Sequence, residues 1–201
     1  MPPIIRQQGL QDYLVTLRAM QDFTLQRNPT TADEIWLIEH PPVYTLGLNG
    51  KKEHLLSANS IPLVQSDRGG QITYHGQGQL VIYTLFDIQR LHLNIRQLVT
   101  LLEQAMITAL AQYGINAYAK AEAPGVYVCE KKIGSVGLRV KKGCCYHGLS
   151  LNNQLDLSPF DAINTCGYPD LKVTSLAAEG VTIRTEELAI PVISALLKAF
   201  I

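Results

Sequence analysis

The segment RGGQITYHGQGQLVIYTLF, residues 68–86, restricts the fold more than any other part of the chain. Its second half, LVIYTLF, is apolar enough to be a buried strand, and QITYH before it is a shorter candidate strand. Glycines lie before and between these two runs, and a glycine beside a strand usually marks a bulge or a close approach to the backbone. The segment therefore predicts two strands around a glycine-rich turn, where another group can approach the backbone.

Three helices are predicted from apolar spacing and end signals. A spacing of three and four predicts a helix over residues 8–26. The apolar residues with this spacing are Leu10, Tyr13, Leu14, Leu17 and Met20. Residues 94–113 show the clearest helical pattern, and TEELAIPVISALLKAF near the C-terminus gives the third helix. Thr185 is a candidate cap for this last helix, and Pro191 is an alternative starting point within it.

Short β-rich segments account for most of the remaining chain. The predicted strands are EIWLIEH, VYTLGL, IPLVQS, QITYH, QLVIYTLF, GVYVC, KIGSVGLRV and CYHGLSLN. The last three are separated by turns that contain lysine and glycine, which is typical of an antiparallel meander. Because helices and strands mix without a βαβ alternation, the sequence favours an α+β fold. No linker or repeat interrupts the chain, so residues 1–201 are expected to form one domain.

Composition and motif searches exclude several classes of protein. Lysine plus arginine and aspartate plus glutamate each total 17, so the whole-chain basic excess of a nucleic-acid-binding protein is missing. No signal-peptide pattern opens the sequence, and no run approaches the roughly 18 apolar residues of a membrane span. We therefore expect a cytoplasmic protein that binds neither membranes nor nucleic acid. Neither a P-loop nor a complete dinucleotide-binding glycine motif occurs, so the sequence does not support the use of ATP or NAD.

Four cysteines, expected to be free thiols in that compartment, are candidates for chemistry. They are Cys129, Cys144, Cys145 and Cys166. Cys166 lies in the loop INTCGYPD, whereas most buried cysteines lie inside apolar elements, so structural and nucleophilic roles both stay open. A thiol nucleophile needs a neighbouring cation or base, and the candidates are Lys131, Lys132, His75 and His147. Cys145 and His147 also form a weak candidate pair of metal ligands.

Motifs along nearly the whole chain resemble the lipoyl(octanoyl) transferase family. The matching segments, in order, are EHPPVYTLG, RGGQITYHGQGQLVIYTLFDI, PGVYV, KIGSVGLRV, HGLSLNN, DLSPFDAINTCG and VTSL. Several motifs in the family's order are far more specific than any one of them. The sequence departs from the usual pattern at Gln77 and Thr84, where proline is common, and at Ser150, where alanine is common. These departures leave the preferred acyl-chain length open.

The resemblance implies a mixed or antiparallel sheet packed with helices, as in the catalytic domain of biotin and lipoate protein ligases, and an acyltransferase without a cofactor or metal. In this family the cysteine of the CG motif accepts the acyl group and a lysine at the start of the KI strand assists it. These positions are Cys166 and Lys132. The acyl pocket of the family corresponds to Arg68, Gly69, Gly70, Gln71, Ile72, Thr73, Tyr74, His75, Ser135, Val136, Gly137, Gly148, Leu149 and Ser150. Arg68 alternatively forms a surface ion pair with Asp67 or Asp87.

The implied reaction transfers an octanoyl group from octanoyl-acyl carrier protein to the ε-amine of a lysine on a lipoyl domain, without ATP, as the first step of endogenous protein lipoylation. The implied acceptors are lipoyl domains of 2-oxoacid dehydrogenase complexes and the H protein of glycine cleavage. Backbone N–H groups at residues 74–78, or near Gly137 and Gly148, would hold the oxyanion.

The cations of residues 131–142 are either a solvated face or a docking surface for an acidic carrier protein. They are Lys131, Lys132, Arg139, Lys141 and Lys142. Three other functions remain in view. These are an ATP-dependent lipoate–protein ligase, a Cys-Lys hydrolase, and an acyl-binding or carrier-binding module in which Cys166 is inert.

Overall fold

The computed structural model describes residues 2–57 and 60–199, which form ten strands and three α-helices. The strands are β1 Ile4–Leu10, β2 Glu34–Glu39, β3 Val43–Leu46, β4 Leu63–Gln65, β5 Ile72–His75, β6 Gln79–Asp87, β7 Tyr118–Ala119, β8 Val126–Val128, β9 Lys131–Lys141 and β10 Cys144–Asn152. The helices are α1 Tyr13–Gln26, α2 Ile95–Ala111 and α3 Thr185–Lys198, with short 3₁₀ helices at Lys52–His54, Ser158–Ala162 and Thr165–Gly167. Within the described ranges, no helix is long and apolar enough to cross a lipid bilayer.

The strands form one large and one small sheet. The seven-stranded sheet has the order β1-β2-β6-β10-β9-β8-β7, in which only the β1–β2 pair is parallel among the described strands. The three-stranded sheet has the order β4-β3-β5, with β3 parallel to β4 and antiparallel to β5. Both sheets are therefore mixed, and the predictions of an α+β fold and of an antiparallel meander through β8, β9 and β10 are confirmed.

Strand β6 is buried along its length because helices cover both faces of the large sheet. Leu80, Ile82 and Phe86 face the core that α2 and α3 complete. Alternate residues point to opposite faces of a strand, so the residues between them lie on the other side, against Tyr13, Leu17 and Met20 of α1. A third apolar cluster joins the small sheet to the segment around Phe160. The loop that carries Cys166 follows this segment.

The N-terminal segment departs from the predicted helix over residues 8–26. Residues 4–10 instead form β1, which pairs with β2, and the helix begins at Tyr13, where the Asp12 carboxylate accepts the Val15 N–H at 3.0 Å. The periodicity was misleading because it counted Leu10 as a core residue, whereas half of Leu10 is exposed. The two-residue strand β7 was not predicted either.

The end signals predicted for α3 are wrong in detail. Arg184 occupies the N-cap position, and Thr185 is the first helical residue rather than the cap. The helix continues through Pro191, so the proline does not restart it. A proline removes one backbone donor from a helix interior, and the buried apolar face of Leu188, Val192 and Leu196 holds this helix together nevertheless.

Asp33, just before β2, is a buried carboxylate that joins three parts of the fold. It is 7% exposed and forms ion pairs with the buried guanidinium of Arg27 and, at 2.7 Å, with Arg90. It also accepts the backbone N–H of Asp87 at 2.8 Å, which ties the end of β6 to the start of β2. Removal of one partner of a buried pair leaves an uncompensated charge.

The substitution Asp33→Ala should therefore lower the free energy of unfolding by about 3–5 kcal/mol, measured by urea denaturation. Asp22→Ala, on the exposed side of α1, is the control and should change it by less than about 0.5 kcal/mol. Equal effects of the two substitutions would show that the pairs with Asp33 add nothing to stability.

Candidate active site

Cys166 lies in the middle of a single 3₁₀ turn, Thr165–Gly167, and is partly exposed. Its backbone has φ of 56°, in the left-handed region that a residue with a side chain rarely adopts. The turn is held by the Asn164 N–H, which donates to the His54 carbonyl at 2.8 Å, and by the Gly167 N–H, which donates to the Asn164 carbonyl at 2.8 Å. This turn directs the sulfur into a cavity rather than into an apolar core.

Lys132, the second residue of β9, brings an ammonium group to this sulfur. It lies 34 positions from Cys166 in the sequence, is 3% exposed, and its Nζ lies 3.2 Å from Cys166 Sγ. The same Nζ donates to the Pro124 carbonyl at 2.8 Å and lies 5.4 Å from the centre of the Tyr127 ring. Both backbone polar groups of Lys132 are bonded to the 172–174 segment. Its N–H donates to the Lys172 carbonyl, and its carbonyl accepts from the Thr174 N–H. Of the candidate bases named from the sequence, Lys132 is the one that contacts Cys166.

The surroundings of Lys132 favour its charged form. Burial lowers the pKa of a lysine, since it removes the ammonium from water. The neighbouring Cys166 sulfur and the Tyr127 hydroxyl act in the opposite direction and outweigh burial, so the pKa of Lys132 is raised above its ordinary value. An ammonium at this position can stabilise a thiolate and can later donate a proton.

Cys166 and Lys132 open into a cavity of about 340 Å³, enclosed by β5, β6, β9 and β10. All but one of the pocket residues implied by the sequence line it, and they come from three separate segments of the chain. They are Arg68–Thr73, His75, Ser135–Gly137 and Gly148–Ser150. Tyr74 is not among the lining residues and packs instead on Tyr44 and Phe160, with ring centres 5.7 and 5.5 Å apart.

Arg68 organises one wall of the cavity through neutral acceptors. Its guanidinium donates to both oxygen atoms of Thr45 and to the carbonyls of Gly69 and Gln71, at 2.7–3.2 Å. Neither Asp67 nor Asp87 pairs with it in the described part of the chain, so the surface ion pair considered from the sequence does not form. Burial lowers the pKa of Arg68, and the phenol of Tyr13 and the sulfur of Cys166 partly offset that effect. The buried charge fixes the 68–71 loop against β3.

The two histidines of the cavity contact other groups rather than the sulfur. His75 Nδ1 lies 2.7 Å from Gln79 Oε1, and burial together with the neighbouring His40 lowers its pKa to about 3, so its ring is neutral near pH 7. His147 Nε2 lies 2.8 Å from Asp67 Oδ1. Burial lowers the pKa of His147, although Asp67 acts in the opposite direction. Both rings are neutral parts of the cavity wall.

The glycines of the opening segment serve two separate purposes. Gly69 and Gly70 line the cavity, and Gly70 has φ of 86°. Gly76 and Gly78, in the turn before β6, do not line it. The Gly78 N–H donates to the Glu39 carboxylate at 2.6 Å, and a Cβ on Gly78 would lie 2.6 Å from the Gln154 backbone. The second pair of glycines therefore allows close packing of the chain on itself.

The positions that depart from the usual family motifs have different surroundings. Gln77 is exposed in the turn, and Thr84 is fully buried and donates to the His147 carbonyl at 3.3 Å. Ser150 is the one that lines the cavity. Any direct effect on the acyl chain is therefore expected from Ser150.

The basic residues of β9 do not form one continuous surface. Lys132 is buried at the cavity, while Lys131 is exposed at the start of the strand. Lys141 and Lys142 are exposed at its other end, roughly 30 Å away for a strand of this length. The exposed lysines therefore lie at the two ends of β9 and do not form one docking surface.

Several groups at the site were not found from the sequence. The Tyr13 ring, from α1, stacks on His75 with centroids 5.9 Å apart and rings within 11° of parallel, and its hydroxyl bonds Ser66 at 2.7 Å. Pro124 and Tyr127 contact the ammonium of Lys132. No local motif marks these residues, because each reaches the site only through tertiary packing. In the described ranges, no group of three or more His, Cys, Asp or Glu residues is arranged to hold a metal ion.

Comparison with solved structures identifies the architecture. Lipoate-protein ligase A bound with ATP superimposes with a TM-score of 0.81 at 16% identity, over 98% of this chain and 85% of that one. A bipartite lipoate protein ligase from Thermoplasma acidophilum gives 0.80 at 16% identity, over 98% and 83%. Biotin protein ligase from Aquifex aeolicus gives 0.59 at 16% identity, over 100% and 71%. The predicted relation to the catalytic domain of these ligases is confirmed for the fold.

Sequence comparison gives much closer relatives. An octanoyltransferase from Psychromonas ingrahamii is 57% identical over 92% of this chain and 86% of the relative. An octanoyltransferase from Dechloromonas aromatica is 59% identical over 86% of this chain and 84% of the relative. The family model for the lipoyl protein ligase A/B catalytic domain matches residues 11–200. The chain therefore belongs to the lipoyl protein ligase A/B catalytic domain family, and its octanoyltransferase relatives share more than half of its residues.

Proposed function

We propose that this chain is an octanoyltransferase that moves an octanoyl group from octanoyl-acyl carrier protein to a lysine ε-amine on a lipoyl domain, through a thioester on Cys166. The observation that carries the proposal is the contact between Lys132 Nζ and Cys166 Sγ, 3.2 Å apart at the opening of the cavity. The names of the close relatives support the same activity. Residues 1–201 would act as one catalytic domain in the cytoplasm.

The first half of the reaction uses Lys132 as an acid. The Cys166 thiolate, stabilised by the ammonium, attacks the thioester carbonyl and forms a new carbon–sulfur bond. The bond to the carrier's phosphopantetheine sulfur breaks, and this leaving thiolate takes a proton from Lys132. Octanoyl-Cys166, the carrier thiol and a neutral Lys132 amine remain. Backbone N–H groups of the glycine-containing walls are candidates for holding the oxyanion, and loss of one such donor typically costs about 2.7–4 kcal/mol.

The second half uses Lys132 as a base. The ε-amine of the lipoyl-domain lysine attacks octanoyl-Cys166, a carbon–nitrogen bond forms, and the Cys166 thiolate leaves. Neutral Lys132 accepts the proton that the attacking amine loses, which restores the ammonium–thiolate pair. Conversion of a thioester to an amide is favourable, so the cycle closes without ATP. Lipoyl domains of 2-oxoacid dehydrogenase complexes and the glycine cleavage H protein are the proposed acceptors.

The cavity suits an acyl tail. Its walls combine apolar side chains with glycine backbone, and an octanoyl chain has about six methylenes to bury at about 0.8 kcal/mol each. This contributes roughly 5 kcal/mol of binding. One methylene more or less changes binding by only about 1–3 kcal/mol, so neighbouring chain lengths should be accepted at reduced rates.

The ATP-dependent ligase is the rival that the structural comparison favours, because a solved neighbour of this fold is a lipoate-protein ligase bound with ATP. That neighbour is only 16% identical, whereas the octanoyltransferase relatives exceed 50%. A hydrolase would use water in place of the acceptor lysine, and a binding module would leave Cys166 unreacted. Formation of octanoyl-Cys166 without ATP, and its discharge to a lipoyl domain rather than to water, separate these functions.

Incubation with octanoyl-acyl carrier protein, without ATP or acceptor, should add one octanoyl group to Cys166, located by intact mass and peptide mapping. An unlipoylated lipoyl domain should then remove it. Cys166→Ser should carry no thioester adduct, while Cys129→Ser, which removes an exposed thiol elsewhere, should be acylated normally. Transfer without an adduct would refute the thioester route. Release of octanoate without acceptor would indicate a hydrolase, and a requirement for ATP would indicate a ligase.

Lys132→Met keeps a side chain of similar length but removes the ammonium. It should slow acylation of Cys166 by about 10²–10⁴-fold, measured by rapid quench and mass spectrometry. Lys131→Met changes the preceding, exposed lysine of the same strand and should leave the rate within about twofold. Equal rates for the two variants would remove Lys132 from the mechanism.

A further inference from the structure

Glu103 is a buried carboxylate on α2 that the proposed reaction does not use. It is 7% exposed and follows the core residue Leu102 on a helix that otherwise buries apolar side chains. A glutamate is almost never fully buried unless it is paired. No lysine or arginine in the described ranges lies within ion-pair distance of it. Its partner is the backbone N–H of Gly125, which donates to Glu103 Oε1 at 2.7 Å.

That N–H belongs to the peptide group that holds the Lys132 ammonium. The carbonyl of the same peptide, on Pro124, accepts from Lys132 Nζ at 2.8 Å. The N–H and C=O of a trans peptide point in opposite directions, so one peptide group bridges the carboxylate and the ammonium. Lys132 Nζ then contacts Cys166 Sγ at 3.2 Å. These contacts form a continuous series of hydrogen bonds from α2, through the loop before β8 and the lysine of β9, to the sulfur.

Gly125 makes this close arrangement sterically feasible. Its φ is 133°, and a Cβ at this position would lie 2.5 Å from Lys132 Cε and 2.6 Å from the Gly134 carbonyl oxygen. The lysine stem therefore packs directly on the backbone of the bridging peptide. Any displacement of that peptide would move the ammonium with it.

The charged and titratable groups around Lys132 come from several elements. Cys166 is in contact, the Tyr127 ring of β8 is 5.4 Å away, and Lys120 lies over that ring at 4.6 Å. Glu103 is the carboxylate that reaches Lys132 through hydrogen bonds. Burial raises the pKa of Glu103, while the Gly125 N–H and the charge of Lys132 act in the opposite direction.

We propose that Glu103 is a positioning residue for Lys132, acting through the Pro124–Gly125 peptide. The carboxylate polarises the peptide, which strengthens the hydrogen bond from the ammonium to the Pro124 carbonyl and fixes Nζ beside the sulfur. Its negative charge also helps Lys132 to keep its proton when Cys166 carries no charge. The catalytic meaning of this role depends on the proposed function, whereas the hydrogen-bonded chain can be tested without substrate.

The test measures the titration of Lys132 in Cys166→Ser, where no thiol contacts the ammonium. The Nζ signal is followed by NMR in protein labelled with ¹⁵N-lysine and is assigned by its loss in Lys132→Met. Glu103→Gln keeps an acceptor for the Gly125 N–H but removes the charge. A unit charge roughly 8 Å away at an effective dielectric constant of about 20 corresponds to a shift of about 1.5 pH units. Because loss of an anion disfavours a buried ammonium, the pKa of Lys132 should fall by about that amount.

Glu186→Gln is the matched control, since it makes the same change on the exposed surface of α3. It should leave the titration of Lys132 unchanged. An unchanged titration in Glu103→Gln, or an equal shift in the control, would overturn the proposal. Should Glu103→Gln fail to fold, the Gly125 amide and Lys132 Nζ signals of the Cys166→Ser protein must shift together when Glu103 is protonated. Independent behaviour of these two signals would also overturn it.

Activity measurements distinguish the role of Glu103 from the proposed octanoyltransferase activity. In protein with native Cys166, Glu103→Gln should lower kcat for octanoyl transfer about tenfold or more and move the alkaline limb of its pH profile to lower pH, since Lys132 loses its proton earlier. Normal acylation with no shift of the profile would reject the role of Glu103 alone. Failure of octanoyl transfer in the unmodified enzyme would reject the proposed function and leave the NMR result valid.

Discussion

The arrangement depends on one unusual interaction, a buried ammonium in contact with a partly exposed sulfur. The transfer of an ammonium from water into a protein interior costs several kcal/mol, and Lys132 has no carboxylate within 4 Å in the described ranges to offset this cost. A carbonyl, an aromatic ring and the sulfur stabilise it instead. Among the groups that raise the pKa of Lys132, the Cys166 sulfur comes first and the Tyr127 hydroxyl second, so the contact with Cys166 stabilises the ammonium.

The large sheet makes this contact geometrically reliable. β9 pairs with β10 on one side and β8 on the other, and the backbone of Lys132 is also bonded to the 172–174 segment. Lys132 itself is held by β8 and by the 172–174 segment, while β10 pairs with β9 from Gly134 onward. Cys166 lies on a short turn whose backbone is strained, and the small sheet and its apolar cluster hold that turn. A lysine held rigidly beside a thiol on a constrained turn is suited to donate and accept a proton without a change of position.

Local sequence patterns predicted the buried strands and the amphipathic helices, but they did not predict the exposed edge strand. β6 was predicted from a continuous apolar run, α2 from its helical spacing, and β9 and β10 from β-rich segments between turns. β1 was not predicted, and its last three residues were assigned to a helix, because an exposed edge strand has little apolar alternation to distinguish it. The resemblance identified 15 of the 26 residues that line the cavity. It did not identify Tyr13, Glu103 or Pro124, because their positions depend on the packing of α1 and α2 and on one peptide orientation that no motif encodes.

The cavity is lined by segments that lie far apart in the sequence: α1, the 68–75 segment, β6, β9, β10 and the turn at Cys166. Most of these contacts join residues far apart in sequence, so each of them closes a long loop of the chain. Lys132 and Cys166 are in contact because β9 pairs with β8 and β5 of the small sheet packs on the turn at Cys166. A chain in which either region is unfolded has a thiol without its ammonium. Under the proposed function, reactivity of Cys166 toward thioesters would therefore require the completed fold.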